Sequence, residues 1–190
     1  MVSSRIRFRR AVTAGAAGAL CLLGTVVAEP LAAAASCSVA WSSLAKTSAT
    51  VTTRQLTNVR SGRHACYDRL VIDLNGAGST ATGYDVSYVS SVNEEGSGRA
   101  VPLRGGARIA IVVRAASYDT HGHATYSPAH PADLTDVSGY QTFRQIAFAG
   151  SFEGQTTIGL GVRARLPMKV TRLSGPGSAQ RLIVDVAHSW

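Results

Sequence analysis

Arg69-Leu70-Val71-Ile72-Asp73-Leu74 and Arg181-Leu182-Ile183-Val184-Asp185-Val186 repeat one pattern, Arg, three aliphatics, Asp, aliphatic, near the two ends of the folded part of this chain. Successive side chains of a strand point to opposite faces. Leu70, Ile72 and Leu74 therefore share one face, and Arg69, Val71 and Asp73 the other. The second copy divides in the same way. Two matching strands, one near each end, predict a closed all-β sandwich with rough internal symmetry. The same-face charges read as structural pairs, Arg69 with Asp73 and Arg181 with Asp185, not as chemistry.

Working outward, the alternation gives short strands at Thr57–Arg60, Arg69–Leu74, Tyr84–Val89, Arg108–Arg114, Phe143–Ala149, Thr156–Arg163, Met168–Leu173 and Arg181–Val186. Val101–Leu103 adds a short edge strand, since Pro102 cannot donate to a central ladder. Gly and Pro punctuate them at Asn75–Gly78, Asn93–Gly98, Gly105-Gly106, Gly150–Gly154 and Gly175–Gly177. The total is roughly eight or nine strands, with no long amphipathic helix after residue 35, which favours an antiparallel sandwich or barrel. Gly159 and Gly161 alternate inside one strand and predict close approach of another backbone or side chain. Residues 36–54, rich in Ser, Thr and Ala around Trp41, read as an irregular N-terminal segment ahead of a domain at 55–190. Residues 115–139 form one long irregular loop, the kind that carries function in a compact domain.

The first 35 residues read as a cleaved export signal. Arg5, Arg7, Arg9 and Arg10 precede an uncharged run from Ala11 to Ala28, and Ala33–Ala35 supply small residues before a cut at Ser36. An uncleaved anchor is the alternative, because the apolar run nearly spans a bilayer. Arg9-Arg10 is a weak twin-arginine candidate beside Sec export. Cys21 lacks the small preceding residue of a lipid-modified cysteine and reads as part of the signal. The signal implies a secreted protein, with no stable membrane insertion after cleavage.

Cleavage removes four of the 19 basic residues and one of the 11 acidic ones, so the net charge of +8 falls to +5. The remaining charge is scattered, without the dense basic stripe of a nucleic-acid binder. Cys37 and Cys66 are then the only cysteines, and in an exported protein an even pair reads as a disulfide. Loop-closure entropy makes such a bond worth about 3–4 kcal/mol.

Val59 to Ile72 is the segment densest in functional side chains. Arg60, Arg63, His64, Tyr67 and Asp68 are candidate binding residues, because Arg makes bidentate contact with carboxylates and phosphates. The structural alternative pairs Asp68 with Arg60 or Arg63. In the long loop, Tyr118 and Tyr126, with Tyr140, offer aromatic faces for stacking on a sugar, or equally cap the open end of the sandwich. His121, His123, His130, Asp119 and Asp133 have the chemistry of zinc ligands. Their spacing matches no known ligand set, so they read as solvated loop polarity, with neither metal nor cofactor expected. No Gly-x-Ser-x-Gly elbow, His-Glu-x-x-His, Cys-x-x-Cys or phosphate loop is present, and no catalytic residues are assigned.

From about Leu56 to Trp190 the chain resembles the AMIN domain family, most closely its AMIN-like branch in exported actinobacterial proteins. The likeness lies in Val59-Arg60-x-Gly62-Arg63-His64-x-Cys66-Tyr67-Asp68-Arg69-Leu70-Val71-Ile72-Asp73 and in Gly83-Tyr84-Asp85-Val86-x-Tyr88-Val89. It continues through Gly96-Ser97-Gly98, Gly105-Gly106-Ala107-Arg108-Ile109, Phe143-Arg144-Gln145-Ile146, Gly150-Ser151-Phe152-Glu153-Gly154 and the closing Arg181–Val186 strand. The resemblance implies an antiparallel β-sandwich of two small sheets, in agreement with the strand pattern, and a module that targets envelope sites through peptidoglycan contact. It supplies no catalytic residues.

The function expected is thus a secreted, non-catalytic module that binds a cell-envelope component, with peptidoglycan the candidate. Its partner would be a cell-wall polymer or an envelope protein. The alternatives are a secreted interaction protein, acting as an accessory subunit or inhibitor, and a small hydrolase. The second needs an exposed apolar patch on one sheet face. The third needs His64 or His121 within hydrogen-bonding distance of Ser and Asp.

Overall fold

The computed structural model describes residues 37–76, 78 and 80–190; the expected export signal, with Cys21, lies outside the described residues. Eleven strands form among them: β1 (Lys46–Ser48), β2 (Gln55–Arg63), β3 (Tyr67–Asn75), β4 (Tyr84–Val89), β5 (Val92–Asn93), β6 (Ala100–Val101), β7 (Ala107–Val113), β8 (Phe143–Phe152), β9 (Gln155–Val162), β10 (Met168–Ser174) and β11 (Gln180–Ala187). Eight are six residues or longer, and these eight are the long strands the alternation predicts. Among the described residues no helix is long and apolar enough to cross a membrane.

The strands form an antiparallel sandwich of a five-stranded sheet, β1-β4-β7-β9-β8, and a four-stranded sheet, β10-β11-β3-β2. The two copies of the Arg-aliphatic-Asp pattern become β3 and β11, which are hydrogen-bonded neighbours inside the four-stranded sheet. The likeness of the chain ends is therefore a relation between adjacent strands. Leu70, Ile72, Leu74, Leu182, Val184 and Val186 face the core, where they meet Val86, Ile109, Ile111, Val113, Ile158 and Leu160 of the other sheet. Full burial of each such side chain contributes about 1.5–3 kcal/mol.

The pairs expected within single strands do not form. Residues four apart on a strand lie about 13 Å apart along it, whereas residues opposed across neighbouring strands lie about 5 Å apart. Arg69 instead donates to Asp185 through Nε at 2.7 Å and through Nη2 at 2.8 Å. Arg181 approaches Asp73 to 4.0 Å. Arg60 takes Asp73, two bonds of 2.7 and 2.8 Å, and not Asp68.

Residues 36–54 depart in part from the irregular expectation. The Cys37–Cys66 disulfide forms, Ser42 bridges to Met168, and Lys46–Ser48 adds the edge strand β1 beside Tyr84–Val86. Lys46-Thr47-Ser48 has no apolar alternation, and backbone pairing alone makes it a strand.

The loop over 115–139 is irregular apart from a single bridge, Tyr118 to Ala124. Its backbone shields the outer edge of β8, with Leu134 N–H bonded to Ile146 C=O and Phe148 N–H to Pro131 C=O. That covering answers the hazard of an open edge strand. On the outer face of the five-stranded sheet, the β5–β6 hairpin lays Val92 and Leu103 over Ala147 and Ala149. Gly159 makes this possible, since a Cβ there would stand 2.9 Å from Leu103 Cδ1. The close approach read from the alternating glycines is what β9 shows.

Candidate functional site

β2 ends in Arg63, and the short connection His64–Cys66 leads into β3, closed by a bond from His64 N–H to Tyr67 C=O at 3.0 Å. The His64 ring stacks on Tyr67 with centroids 4.5 Å apart, and Trp41 meets Tyr67 at 5.5 Å. The Arg69 guanidinium lies 5.2 Å from the Tyr67 ring and donates to its hydroxyl at 3.3 Å. Tyr67 is thus half-buried between three neighbours.

Asp68 is fully buried. Position 68 shares parity with Leu70, Ile72 and Leu74, so β3 turns it to the core. Its Oδ2 accepts the backbone N–H groups of Thr142 at 2.6 Å and Phe143 at 3.0 Å, and its Oδ1 meets His188 Nε2 at 3.1 Å. His188 Nδ1 in turn faces the Ala65 carbonyl at 3.2 Å. Both ring nitrogens thus face oxygen atoms. Asp68 pairs with His188 rather than with Arg60 or Arg63, and it ties β3, the end of β11 and the start of β8 together.

Arg63 and His64 stay exposed. With Gly139, Gln141 and His188 they line a depression of about 300 Å³ above the Asp68–His188 pair. Gly139 also borders a larger depression of about 720 Å³, lined by Arg144, Tyr140, Arg104, His130, Asp133 and Asp136 among others. Next along the chain from His130, Pro131 borders a third, of about 390 Å³, whose walls include Tyr118, Tyr126, Pro128 and Phe148. The first two share Gly139, and the second and third are both walled by β8, at Phe143 and Arg144 and at Phe148, together with its covering loop. The candidates Arg63, His64, Tyr118 and Tyr126 therefore lie on one track, at its two ends. Arg60 lies elsewhere, in a depression of about 380 Å³ with Asp73 and Arg181.

The charges on this track are unequal in what they have left to offer. Arg104 is neutralised by Asp133. The Asp136 carboxyl is held below the usual carboxylate range by the N–H of Ser138. Among the described residues the Arg63 guanidinium donates only to the Gly139 carbonyl, at 3.3 Å. The Arg144 guanidinium, likewise among the described residues, donates only to the carbonyls of Tyr140, Phe143 and Gln141. Two guanidinium groups on the track thus have no carboxylate partner among the described residues. The sequence reading singled out Arg63 but not Arg144. The signal for Arg144 was weak, a lone Arg at a strand start after a Tyr-containing loop.

At the aromatic end, the Tyr118 hydroxyl accepts the Gly154 N–H at 3.1 Å, and Tyr126 packs edge-on against Phe148. Burial pushes the Tyr126 phenol up. His121 and His123 project from the loop tip. Asp119 accepts both their backbone N–H groups and meets the His123 ring, so its carboxyl titrates lower than usual, chiefly through the His123 N–H. Among the described residues no group of three or more His, Cys, Asp or Glu side chains is placed to hold a metal ion.

A family model, the AMIN-like domain, matches residues 54–188. The chain belongs to the AMIN-like domain family. No curated protein and no solved structure matches it. The AMIN-like match includes the whole β8 track and both strands of the opening pattern. It leaves out Cys37, Trp41 and β1. Membership fits a binding module associated with the cell envelope, and with the Cys37–Cys66 disulfide it fits an extracytoplasmic place.

Proposed function

We propose that this AMIN-like protein is a secreted, non-catalytic module that holds an anionic polymer of the cell envelope, with peptidoglycan the candidate, along the β8 track. The observation that carries this reading is the pair Arg63 and Arg144, which line adjoining depressions with only backbone carbonyls as partners. A guanidinium in that state retains its charge and several N–H donors for a ligand carboxylate. The Tyr118–Tyr126 depression extends the same track with aromatic faces suited to a sugar ring.

A polymer is favoured over a protein partner by the distribution of apolar surface. Among the described residues the large exposed apolar side chains are Leu44, Val51, Phe152, Leu173 and Trp190, which lie on separate segments and not on one sheet face. A hydrolase is disfavoured because no Ser, Thr or Cys side chain bonds a histidine ring among the described residues; His188 bonds Asp68 and Ala65. The experiment is retention on purified cell wall at low salt. Arg63→Ala with Arg144→Ala should abolish retention, and Arg60→Ala, whose guanidinium is already taken by Asp73, should leave it intact. Failure of the wild type to be retained overturns the reading.

A further inference from the structure

Beside Tyr67, whose ring Trp41 meets at 5.5 Å, the N-terminal segment and the first residues of β10 border a depression of about 540 Å³. Its lining is Trp41, Met168 and Val170, with Ala40 and Ser42, and the two lysines Lys46 and Lys169. No acidic residue lines it. The segment bearing Trp41 is fixed at both ends, by the Cys37–Cys66 disulfide and by the bond from Met168 N–H to Ser42 C=O at 3.0 Å. This wall stands outside the family match at 54–188.

Three donors here have charge or hydrogen-bonding capacity to spare. Lys169 is exposed and its ammonium makes no hydrogen bond or ion pair among the described residues; Asp185, opposite it on β11, is occupied by the Arg69 fork. Among the described residues the Lys46 ammonium donates only to the Ser42 hydroxyl and to the carbonyls of Ser42 and Leu44. The Trp41 indole N–H makes no hydrogen bond among the described residues, whereas that of Trp190 donates to the Arg165 carbonyl. An apolar floor under two ammonium groups selects a particular chemistry. A neutral hydrocarbon leaves the charges unused, and a compact anion leaves the indole face unused.

We infer that this depression is a second binding site, separate from the β8 track, for a small anion with an apolar body such as an aryl or acyl carboxylate. Its volume lies in the range of small-molecule sites. The disulfide then has a role beyond stability, since it holds one wall of the site in place.

Naphthoate and its neutral analogue naphthalenemethanol test this, with the indole N–H signals of the two tryptophans followed by NMR on the disulfide-bonded protein. Naphthoate is expected to shift the Trp41 signal and leave that of Trp190 unmoved, and the alcohol should bind about tenfold more weakly, as two partly exposed ion pairs would give. Lys169→Gln should weaken naphthoate about three- to fivefold, with the fold unchanged. The Arg63→Ala, Arg144→Ala variant should bind naphthoate like the wild type, which separates this site from the polymer track. Equal binding of acid and alcohol, an unmoved Trp41 signal, or a Lys169→Gln variant indistinguishable from wild type would overturn the inference.

Discussion

Arg69 and Asp185 stand directly opposite one another on β3 and β11 and are joined by two N–H···O bonds. The side chain of Asp185 is 3% exposed and that of Arg69 30%. The carboxylate therefore depends on this one guanidinium for its charge-assisted bonds. The second cross-strand contact of the repeated pattern, Arg181 with Asp73, is looser at 4.0 Å, and Asp73 already holds Arg60.

This asymmetry sets the first prediction. Arg69→Met keeps the apolar stem but strands a buried carboxylate, and should cost about 2–3 kcal/mol. Arg181→Met removes a half-exposed contact to a carboxylate that keeps another partner, and should cost less than about 1 kcal/mol. Urea unfolding with unchanged m-values measures both. Equal losses would mean that the fork contributes no more than the looser pair.

The buried Asp68 carboxyl carries the second prediction. Asp68→Ala leaves the N–H groups of Thr142 and Phe143 buried without an acceptor and should cost about 3–5 kcal/mol. Asp68→Asn keeps one acceptor oxygen for those N–H groups and should cost less than the alanine. Urea unfolding measures both, and equal losses would mean that the bonds to Thr142 and Phe143 contribute nothing to the difference.

The same residues show what the chain discloses before folding. The eight long strands are legible because residues such as Tyr84, Val86 and Tyr88, or Ile109, Ile111 and Val113, alternate with the period of a half-buried strand. That period also contained the place of Asp68, which has the parity of Leu70, Ile72 and Leu74. Reading the residue as a charged neighbour of Arg63 overlooked it. β1 was not legible because an edge strand of Lys, Thr and Ser is specified by its partner β4 and not by its own side chains. The availability of Arg63 and Arg144, against the occupation of Arg60, depends on which carboxylates lie across the sheet. Cross-strand register decides that, and register is a property of the assembled sheet.

Burial raises the phenol ionisation of both Tyr88 and Tyr126. The unfolded chain then loses these protons first. Stability should be complete below the ordinary tyrosine value of about 10 and should fall as pH rises from there through the raised folded values. Tyr126 makes no hydrogen bond through its hydroxyl among the described residues. Tyr126→Phe should therefore flatten the alkaline loss at little cost near neutrality. Tyr88 donates to the Leu166 carbonyl at 2.8 Å and accepts its N–H at 2.9 Å. Tyr88→Phe should also flatten the loss, but at a cost of about 1–2 kcal/mol at neutral pH. Urea midpoints measured on either side of the tyrosine range read both effects, and a pH-independent midpoint would contradict them.

Gly161 tests whether the third layer of the fold supports the polymer track. A Cβ at this position would collide with the carbonyl oxygen of Arg104. The backbone of Arg104 cannot yield freely, because its N–H is bonded to the side chain of Gln145 at 2.7 Å and its guanidinium to Asp133. Gln145 in turn donates to the Ala132 carbonyl at 2.8 Å, which anchors the loop segment bearing His130 and Asp133. Gly161→Ala should thus cost about 2–3 kcal/mol through overpacking, and the displaced Arg104 should loosen this wall of the large depression. Retention on cell wall should fall in the folded variant, while naphthoate binding at Trp41 stays unchanged. Loss of stability with full retention would place the polymer contacts at Arg63, Arg144 and the tyrosines, without the Arg104 wall.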